Sequence, residues 1–294
     1  MQLLRDLDNN RLAWFNRTYL ADWAAVVALW ILAAFAEHIP PYEREFSHKD
    51  PIIDHDHHPS QIKGGYNDAI TLLVPSIIVV TYSVYHRSIL SAHHGVIALF
   101  SAKGLSDLIT EILKNLVGRL RPDFLDRCKW DKAEKMCTGK LDKILDGRRS
   151  FPSGHSSSAF VGMVFLSLWI AGQTGSWCLS SEISTTRSRS RLNRFLLSLA
   201  PLGWATYVAL TRLQDYRHHK EDVIVGSLIG SMSAFVCYLM FWPSPFKFDE
   251  AGQELREPRM LYISNGNGGD SNYAAERYEL GRMEDPEASP ARRA

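Results

Sequence analysis

Three short polar segments of this chain carry residue types that can bind an anion and move protons to and from it. The first, residues 114–122, supplies two cations, Lys114 and Arg121. Cations at the end of an apolar run are commonly interfacial anchors, whose aliphatic stems lie along apolar surface. Taken alone, this segment favours the anchor interpretation, and any chemistry depends on what the other two segments place beside it.

The second segment is Pro152-Ser153-Gly154-His155, directly before an apolar run. A serine in this position is a normal helix cap. The free N–H groups of a helix start also bind anions, and a glycine lets a bulky oxyanion approach the backbone closely. His155 can deliver a proton to an anion held there. Capping and anion binding are compatible, so the segment predicts both.

The third segment, residues 211–222, contains a histidine four residues before an acid, His218 and Asp222. If the next helix begins early, these side chains share a face, and the carboxylate can hold one ring nitrogen while the other is free to react. An interfacial polar turn explains the same spacing. The residues alone leave three candidates for a nucleophile, which are His155, His218 and His219.

Together the three segments have the composition of a phosphoryl-transfer site. Lys114, Arg121 and Arg212 supply positive charge around one anion, while His155 and His218 titrate near neutrality. Uncatalysed hydrolysis of phosphate monoesters is extremely slow, and positioning with charge stabilisation by Arg and Lys is the main means of accelerating it. A covalent phosphohistidine would divide the displacement into two easier steps.

The elements that must position these segments are apolar stretches of membrane-spanning length. Hydrophobic residues make up 46% of the 294 positions, which is enough for six spans of about 20 residues. We therefore predict an all-α, polytopic membrane protein with six transmembrane helices. The predicted apolar spans are residues 23–36, 69–85, 96–117, 156–172, 195–210 and 223–242.

Span parity places all three polar segments on one face of the membrane. The basic residues of the N-terminus and of loop 173–194 favour cytoplasmic termini under the positive-inside rule. Loop 118–155 is also basic and argues the other way, but several of its basic residues have the chemical role just described. We therefore predict a noncytoplasmic site. The predicted domains are a cytoplasmic N-terminus (1–17), a six-span domain (18–245) and a disordered cytoplasmic tail (246–294).

Charge and cysteine content exclude two other classes of protein. The formal net charge of +1 argues against a nucleic-acid partner, which would require a surplus of Lys and Arg. Four cysteines without a CxxC pair argue against a disulfide-dense scaffold and against zinc or redox chemistry. The oligomeric state is left open.

At the three polar segments the sequence closely resembles the type 2 phosphatidic acid phosphatase (PAP2) superfamily. The superfamily signature reads K-x6-R-P, P-S-G-H and S-R-x5-H-x3-D, and this chain matches it in order and spacing except that Thr211 replaces the serine. The connecting stretches at 118–128 and 214–219 look most like fungal diacylglycerol pyrophosphate phosphatases and related lipid phosphate phosphatases. The resemblance covers roughly residues 20–245.

This resemblance implies roles for individual residues. His218 would be the nucleophile, Asp222 would hold it, and His155 would protonate the leaving group. The residues implied around the phosphate are Lys114, Arg121, Ser153, Gly154 and Arg212. It also implies a reaction on phosphatidate, diacylglycerol pyrophosphate or lysophosphatidate without Mg²⁺ or another cofactor. The same resemblance implies that the protein is located in a vacuolar, Golgi or endoplasmic reticulum membrane.

Other functions fit parts of the pattern. Within the enzymes, phosphatases of sphingoid-base phosphates or polyprenyl pyrophosphates would need the same site. A transporter or binding protein for anionic lipids could use the cations without catalysis, and the charged stripe Lys103, Asp107, Glu111 and Lys114 in the third span could be an ion path. We interpret the stripe as structural pairing in which Lys114 alone reaches the phosphate.

Two further features are ambiguous. The tract Asp-His-Asp-His-His at 54–58 could bind a metal, but we interpret it as a solvated loop. Cys128 and Cys137 lie on the predicted noncytoplasmic side, where they could form a disulfide or remain free thiols.

Overall fold

The structure is a computed structural model that describes residues 15–178, 190–246, 257–259 and 261–262. The described residues between 21 and 259 form one compact unit, and those at 15–20 and 261–262 belong to a second. In the second unit, the rings of Tyr19 and Tyr262 meet edge to face with their centroids 4.8 Å apart. All predicted site residues belong to the first unit.

The described chain is mostly helical, as predicted. Its elements in chain order are α1 (Thr18–Glu37), a 3-10 turn (Pro51–Ile53), α2 (Gly64–Tyr85), α3 (Ile89–Val117), α4 (Phe124–Cys128), β1 (Trp130–Asp131), β2 (Met136–Cys137), α5 (Leu141–Gly147), α6 (Gly154–Thr174), α7 (Arg191–Gln214) and α8 (Lys220–Phe241). The antiparallel pair of two-residue strands is a small departure from the all-α prediction. Most of the predicted tail and half of loop 173–194 lie outside the described residues.

Six long helices correspond to the six predicted spans, but their composition differs. Among the described residues, α1, α2, α6 and α8 are long and apolar enough to cross a membrane. α3 carries the charged stripe, and α7 begins with Arg191 and includes Arg194 in its first turn. The six-span prediction is therefore supported for four helices. Each helix also extends beyond its predicted apolar stretch at one or both ends, because polar residues there are helical too.

Helix α6, which begins at the predicted anion-binding segment, is the centre of the unit. Of its apolar window, 72% is buried, against 22 to 39% for the other three candidate spans. α2, α3, α7 and α8 all pack against it. Its start is capped as predicted, because Ser153 Oγ accepts a hydrogen bond from the Ser156 N–H. The segment that starts α6 is thus held between several neighbouring helices.

Two glycines let α8 approach α6 closely. A Cβ atom at Gly226 would overlap the backbone oxygen of Ser153, and one at Gly230 would overlap that of Ser157. Backbone atoms at these contacts cannot move aside as a flexible side chain can. The distance between the two helices, and with it the position of Ser153, therefore depends on glycine at both places.

Replacing Gly230 with valine is expected to destabilise the fold. The added atoms would force α8 away from the Ser157 backbone, and overpacking of this kind costs about 1–3 kcal/mol. Thermal unfolding of the purified protein in detergent should show a lower midpoint. Gly203→Ala is the matched control, because a Cβ there meets no atom within 4 Å. Equal midpoints for the two variants would contradict the close packing of α6 and α8.

The link between α3 and α6 folds into a compact cap that carries Arg121. Gly118 ends α3 with a left-handed φ of 57°, and a Cβ atom there would collide with the Tyr42 backbone. A small core forms beyond it from Ile53, Leu120, Phe124, Leu125 and Cys128. Cys128 and Cys137 are joined by a disulfide, which resolves the choice left open by the sequence.

Candidate active site

Backbone hydrogen bonds join the three polar segments at one end of the helical unit. The Ser153 N–H donates to the Asp222 carbonyl oxygen at 2.9 Å, which ties the start of α6 to the start of α8. The Ser150 N–H donates to the Arg119 carbonyl oxygen at 2.9 Å, which ties the same region to the end of α3. The three polar segments that we predicted to form one site are therefore neighbours in space.

His218 is buried, and among the described residues only its Nδ1 makes a hydrogen bond. Its Nδ1 lies 2.7 Å from the backbone oxygen of Ser150 and 3.8 Å from Asp222 Oδ2. Because a carbonyl oxygen can only accept, Nδ1 carries the hydrogen and Nε2 keeps its lone pair. Burial lowers the pKa of His218 to about 4, which Asp222 and the Ser150 carbonyl oppose and Arg121 reinforces. His218 is thus a neutral imidazole at physiological pH.

The carboxylate of Asp222 is fully buried and receives several donors. Ser150 Oγ donates to its Oδ2 at 2.6 Å, and the His219 N–H donates to the same oxygen at 3.0 Å. Arg119 Nη1 donates to Oδ1 at 2.9 Å. Asp222 lies in the first turn of α8, where the helix dipole also favours a negative charge. A fixed anion therefore stands beside His218.

His155 lies in the first turn of α6 and faces the same region. Its Nε2 is buried and has no hydrogen-bond partner among the described residues, and a Cβ atom at Gly64 would lie 3.6 Å from it. The charges of Lys114, Arg121 and Arg212 all act on His155, and His218 is near enough to interact with it. Both histidines and all three cations therefore share one electrostatic environment.

Each predicted phosphate-binding cation is paired with a carboxylate. The pairs are Lys114 with Glu111 (2.6 Å), Arg121 with Asp146 (2.9 Å) and Arg212 with Asp215 (2.9 Å). Charge-assisted contacts of this kind orient the cations before any ligand arrives. They also neutralise much of the positive charge, so a bound anion must compete with the carboxylates.

Arg212 illustrates how tightly these side chains are held. Its guanidinium is almost completely buried and donates to Asp215, to Thr211 Oγ1 at 3.0 Å and to Ser60 Oγ at 3.3 Å. Thr211 is the one departure from the signature, and its hydroxyl is used here as an acceptor. The substitution of Thr for Ser therefore keeps the group that contacts Arg212.

Asp146 holds Arg121 in place, as Asp215 holds Arg212. Arg121 Nε donates to the backbone oxygen of Asp146 at 3.0 Å, and its Nη2 donates to the carboxylate at 2.9 Å. Arg127 also donates to this carboxylate. Burial would raise the pKa of Asp146, but Arg121 and Arg127 outweigh it and hold that pKa at about 2. Asp146 is therefore ionised throughout the physiological range.

A cleft of about 350 Å³ opens beside the site. Of the predicted site residues, Lys114, Gly154 and His155 line it. Gly154 allows close approach here, because a Cβ atom at this position would lie 2.9 Å from Lys114 Nζ. The cleft continues between α1, α2 and α3, where its remaining lining includes Trp30, Ala33, Ala34, Asp68, Lys103 and Asp107.

The charged stripe of α3 forms ion pairs along this cleft. Lys103 contacts both Asp107 and Asp68, and Glu111 contacts Arg149 as well as Lys114. This is the mutual pairing that we favoured over an ion path.

The tract at 54–58 packs against the site's supports. His57 Nδ1 lies 2.6 Å from Asp123 Oδ2, and the ring of His55 stacks on Tyr216 with centroids 4.4 Å apart. Asp123 in turn accepts a hydrogen bond from Arg127 Nε at 2.8 Å. The tract thus contributes contacts to the cap that carries Arg121, a role that the solvated-loop interpretation omitted.

Comparison with known proteins agrees with this geometry. Residues 95–245, just over half of the chain, match the PAP2 superfamily. Lipid phosphate phosphatase 2 of Arabidopsis thaliana is 31% identical over 80% of this chain and 81% of its own length. Diacylglycerol pyrophosphate phosphatase 1 of Saccharomyces cerevisiae is 34% identical over 74% of this chain and 80% of its own length. No solved structure matches the chain.

The chain therefore belongs to the PAP2 superfamily and is a phosphatase. The superfamily match begins in α3 and ends after α8, so it spans all three polar segments. The resemblance inferred from the sequence is confirmed.

Proposed function

We propose that this protein is a lipid phosphate phosphatase that hydrolyses phosphatidate, diacylglycerol pyrophosphate or lysophosphatidate through a phosphohistidine. The observation that carries the proposal is a buried, neutral His218 with a free Nε2, placed with His155 among three cations. The names of the relatives supply the lipid substrate class.

In the first step, the lone pair of His218 Nε2 attacks phosphorus and forms a P–N bond. The bond between phosphorus and the lipid oxygen breaks. His155, which is protonated once the negative charge of the phosphate lies beside it, gives that oxygen a proton, and the lipid alcohol leaves, or phosphatidate when the substrate is a pyrophosphate. Lys114, Arg121, Arg212 and the N–H groups that follow Ser153 balance the charge of the transferring phosphoryl group.

In the second step, water attacks phosphorus while His155, now neutral, accepts a proton from it. The P–N bond breaks, its electron pair returns to His218, and inorganic phosphate leaves. No proton is gained or lost by the enzyme over the cycle. The cations supply the charge that Mg²⁺ provides in other phosphotransferases, so the proposed reaction needs no metal or other cofactor.

The proposed architecture has six membrane spans, with α3 and α7 completing the four apolar helices. Because the number of spans is even, both termini lie on the same side of the membrane. The basic residues of the N-terminus assign that side to the cytoplasm. The Cys128–Cys137 disulfide supports a noncytoplasmic site, because disulfides persist in oxidising compartments. A vacuolar, Golgi or endoplasmic reticulum membrane would satisfy this requirement.

The deciding experiment is an assay of the purified protein in detergent with phosphatidate and excess EDTA. We expect steady release of inorganic phosphate that EDTA does not reduce. Phosphatidate binding without turnover would favour the transporter or lipid-binding protein instead, and activity lost in EDTA would contradict a metal-independent site. Parallel assays with sphingoid-base phosphates and polyprenyl pyrophosphates would rank the substrate classes.

Within this mechanism, Asp146→Asn is expected to lower kcat/KM about tenfold. The amide keeps the shape of the side chain but removes the charge that orients Arg121, and loss of such a supporting contact typically costs 10- to 100-fold. Steady-state kinetics on phosphatidate would measure the change. Asp142→Asn is the matched control, since Asp142 is exposed on the same short helix. Equal kinetics for both variants would show that Asp146 does not position Arg121.

A further inference from the structure

The buried carboxylate of Asp222 is occupied mainly by groups other than His218. Ser150 Oγ and the His219 N–H donate hydrogen bonds to Oδ2, and Arg119 donates one to Oδ1. All three are 3.0 Å or shorter. His218 Nδ1 is 3.8 Å from Oδ2, which is an ion-pair distance and too long for a hydrogen bond. Asp222 therefore acts on His218 through its charge, while its hydrogen bonds fix other groups.

The direct partner of His218 is the backbone of Ser150. The Ser150 carbonyl oxygen accepts the Nδ1 hydrogen at 2.7 Å, and the hydroxyl of the same residue donates to Asp222. The Ser150 N–H is also held, because it donates to the Arg119 carbonyl oxygen. Ser150 thus connects His218, Asp222 and Arg119 in one closed set of contacts.

We propose that Arg119 and Ser150 are positioning residues for the nucleophile, a role that rests on the function proposed above. Arg119 holds Asp222 by its side chain and Ser150 by its backbone, and Ser150 fixes the ring of His218 through Nδ1. Neither residue belongs to the signature, and neither touches the phosphate in this mechanism.

Because Arg119 pairs with Asp222, we expect it to affect His218 through that carboxylate. Among the described residues, the charged or titratable groups that act on His218 include Asp222 from α8, Arg121 from the cap and His155 from α6. Arg119 offsets the charge of Asp222 and so weakens its attraction for an imidazolium. Removing Arg119 should therefore raise the pKa of His218 and move the acid limb of kcat/KM to higher pH.

The test compares Arg119→Gln, Arg119→Lys and Glu221→Gln in the full chain with phosphatidate. Glu221 is the matched control, because it is an exposed partner of Arg119 at 3.1 Å that does not contact His218. We expect kcat to fall about 10- to 100-fold in Arg119→Gln with KM changed less than about twofold, partial recovery in Arg119→Lys and no change in Glu221→Gln. The acid limb should move up by about one pH unit in Arg119→Gln only.

A fall in kcat without movement of the acid limb would reduce Arg119 to a structural role and overturn the proposal, as would unchanged kinetics. If Arg119→Gln does not fold, Ser150→Ala is used to test the proposal instead. This variant keeps the carbonyl that binds His218 and removes the hydroxyl bound to Asp222, so the same two effects are expected. Failure of the unsubstituted protein to hydrolyse any lipid phosphate would instead overturn the proposed function, which separates the two failures.

Discussion

Replacing His218 with alanine is expected to lower phosphate release from phosphatidate by at least about 10³-fold while leaving expression and thermal stability close to those of the unsubstituted protein. The covalent route requires the Nε2 lone pair, and loss of a nucleophile removes the whole route rather than one contact within it. Release of inorganic phosphate by purified protein in detergent measures the loss. Activity retained in this variant would refute the assignment of His218.

The neighbouring histidine provides the control for this prediction. His219→Ala removes a ring whose Nδ1 lies 3.2 Å from Asp222 Oδ2, but it keeps the backbone N–H that donates to the same oxygen at 3.0 Å. We expect it to retain most of the activity. Brief incubation with phosphatidate labelled in the phosphate should also yield an acid-labile phosphoprotein in the unsubstituted chain and none in His218→Ala. Label that persists in His218→Ala would point to another nucleophile.

Arg121→Gln is expected to have the second largest effect, lowering kcat/KM by about 10²- to 10³-fold. Removing one preorganised donor to a developing anion commonly costs this much. Arg121→Lys should recover only part of the activity, because an ammonium keeps the charge but not the planar pair of donors that Arg121 presents to Asp146. Kinetics on phosphatidate would measure both variants.

The control for Arg121 is Arg87→Gln, which removes one positive charge from the exposed turn between α2 and α3. It should behave as the unsubstituted protein does. If Arg121→Gln and Arg87→Gln had the same kinetics, Arg121 would be an interfacial anchor, as the first sequence interpretation of that segment allowed. Thermal midpoints for each variant would show whether a loss of activity reflects a loss of fold.

The sequence predicted the site's motifs better than the limits of its helices. α2 begins at Gly64, five residues before the apolar stretch that marked it, because Asn67 is buried in the helix and donates to the His155 backbone. α3 begins at Ile89, seven residues early, where Ser88 caps it. Apolar runs locate the part of a helix that faces lipid or core, whereas polar residues satisfied by tertiary contacts are missed.

Most of the contacts that support the site could not be predicted from residue spacing. Asp215 lies three residues after Arg212, and this helical spacing could have indicated their pairing. Arg119 and Asp222 are 103 positions apart, and Ser150 and Asp222 are 72 apart. Contacts between such distant residues depend on how the helices pack. Gly226 and Gly230 share a helical face by their spacing of four, but that spacing does not indicate which helix they meet.

The carboxylate beside each cation bears on how the reaction ends. A phosphate ion that has lost its lipid has no hydrocarbon to retain it, and Glu111, Asp146 and Asp215 are already in place to reclaim Lys114, Arg121 and Arg212. We therefore expect the freed ion to depart readily and to inhibit weakly. The enzyme would then bind the lipid ester more tightly than free phosphate, because the three carboxylates already neutralise the cations and only the ester has a hydrocarbon tail to add to its affinity.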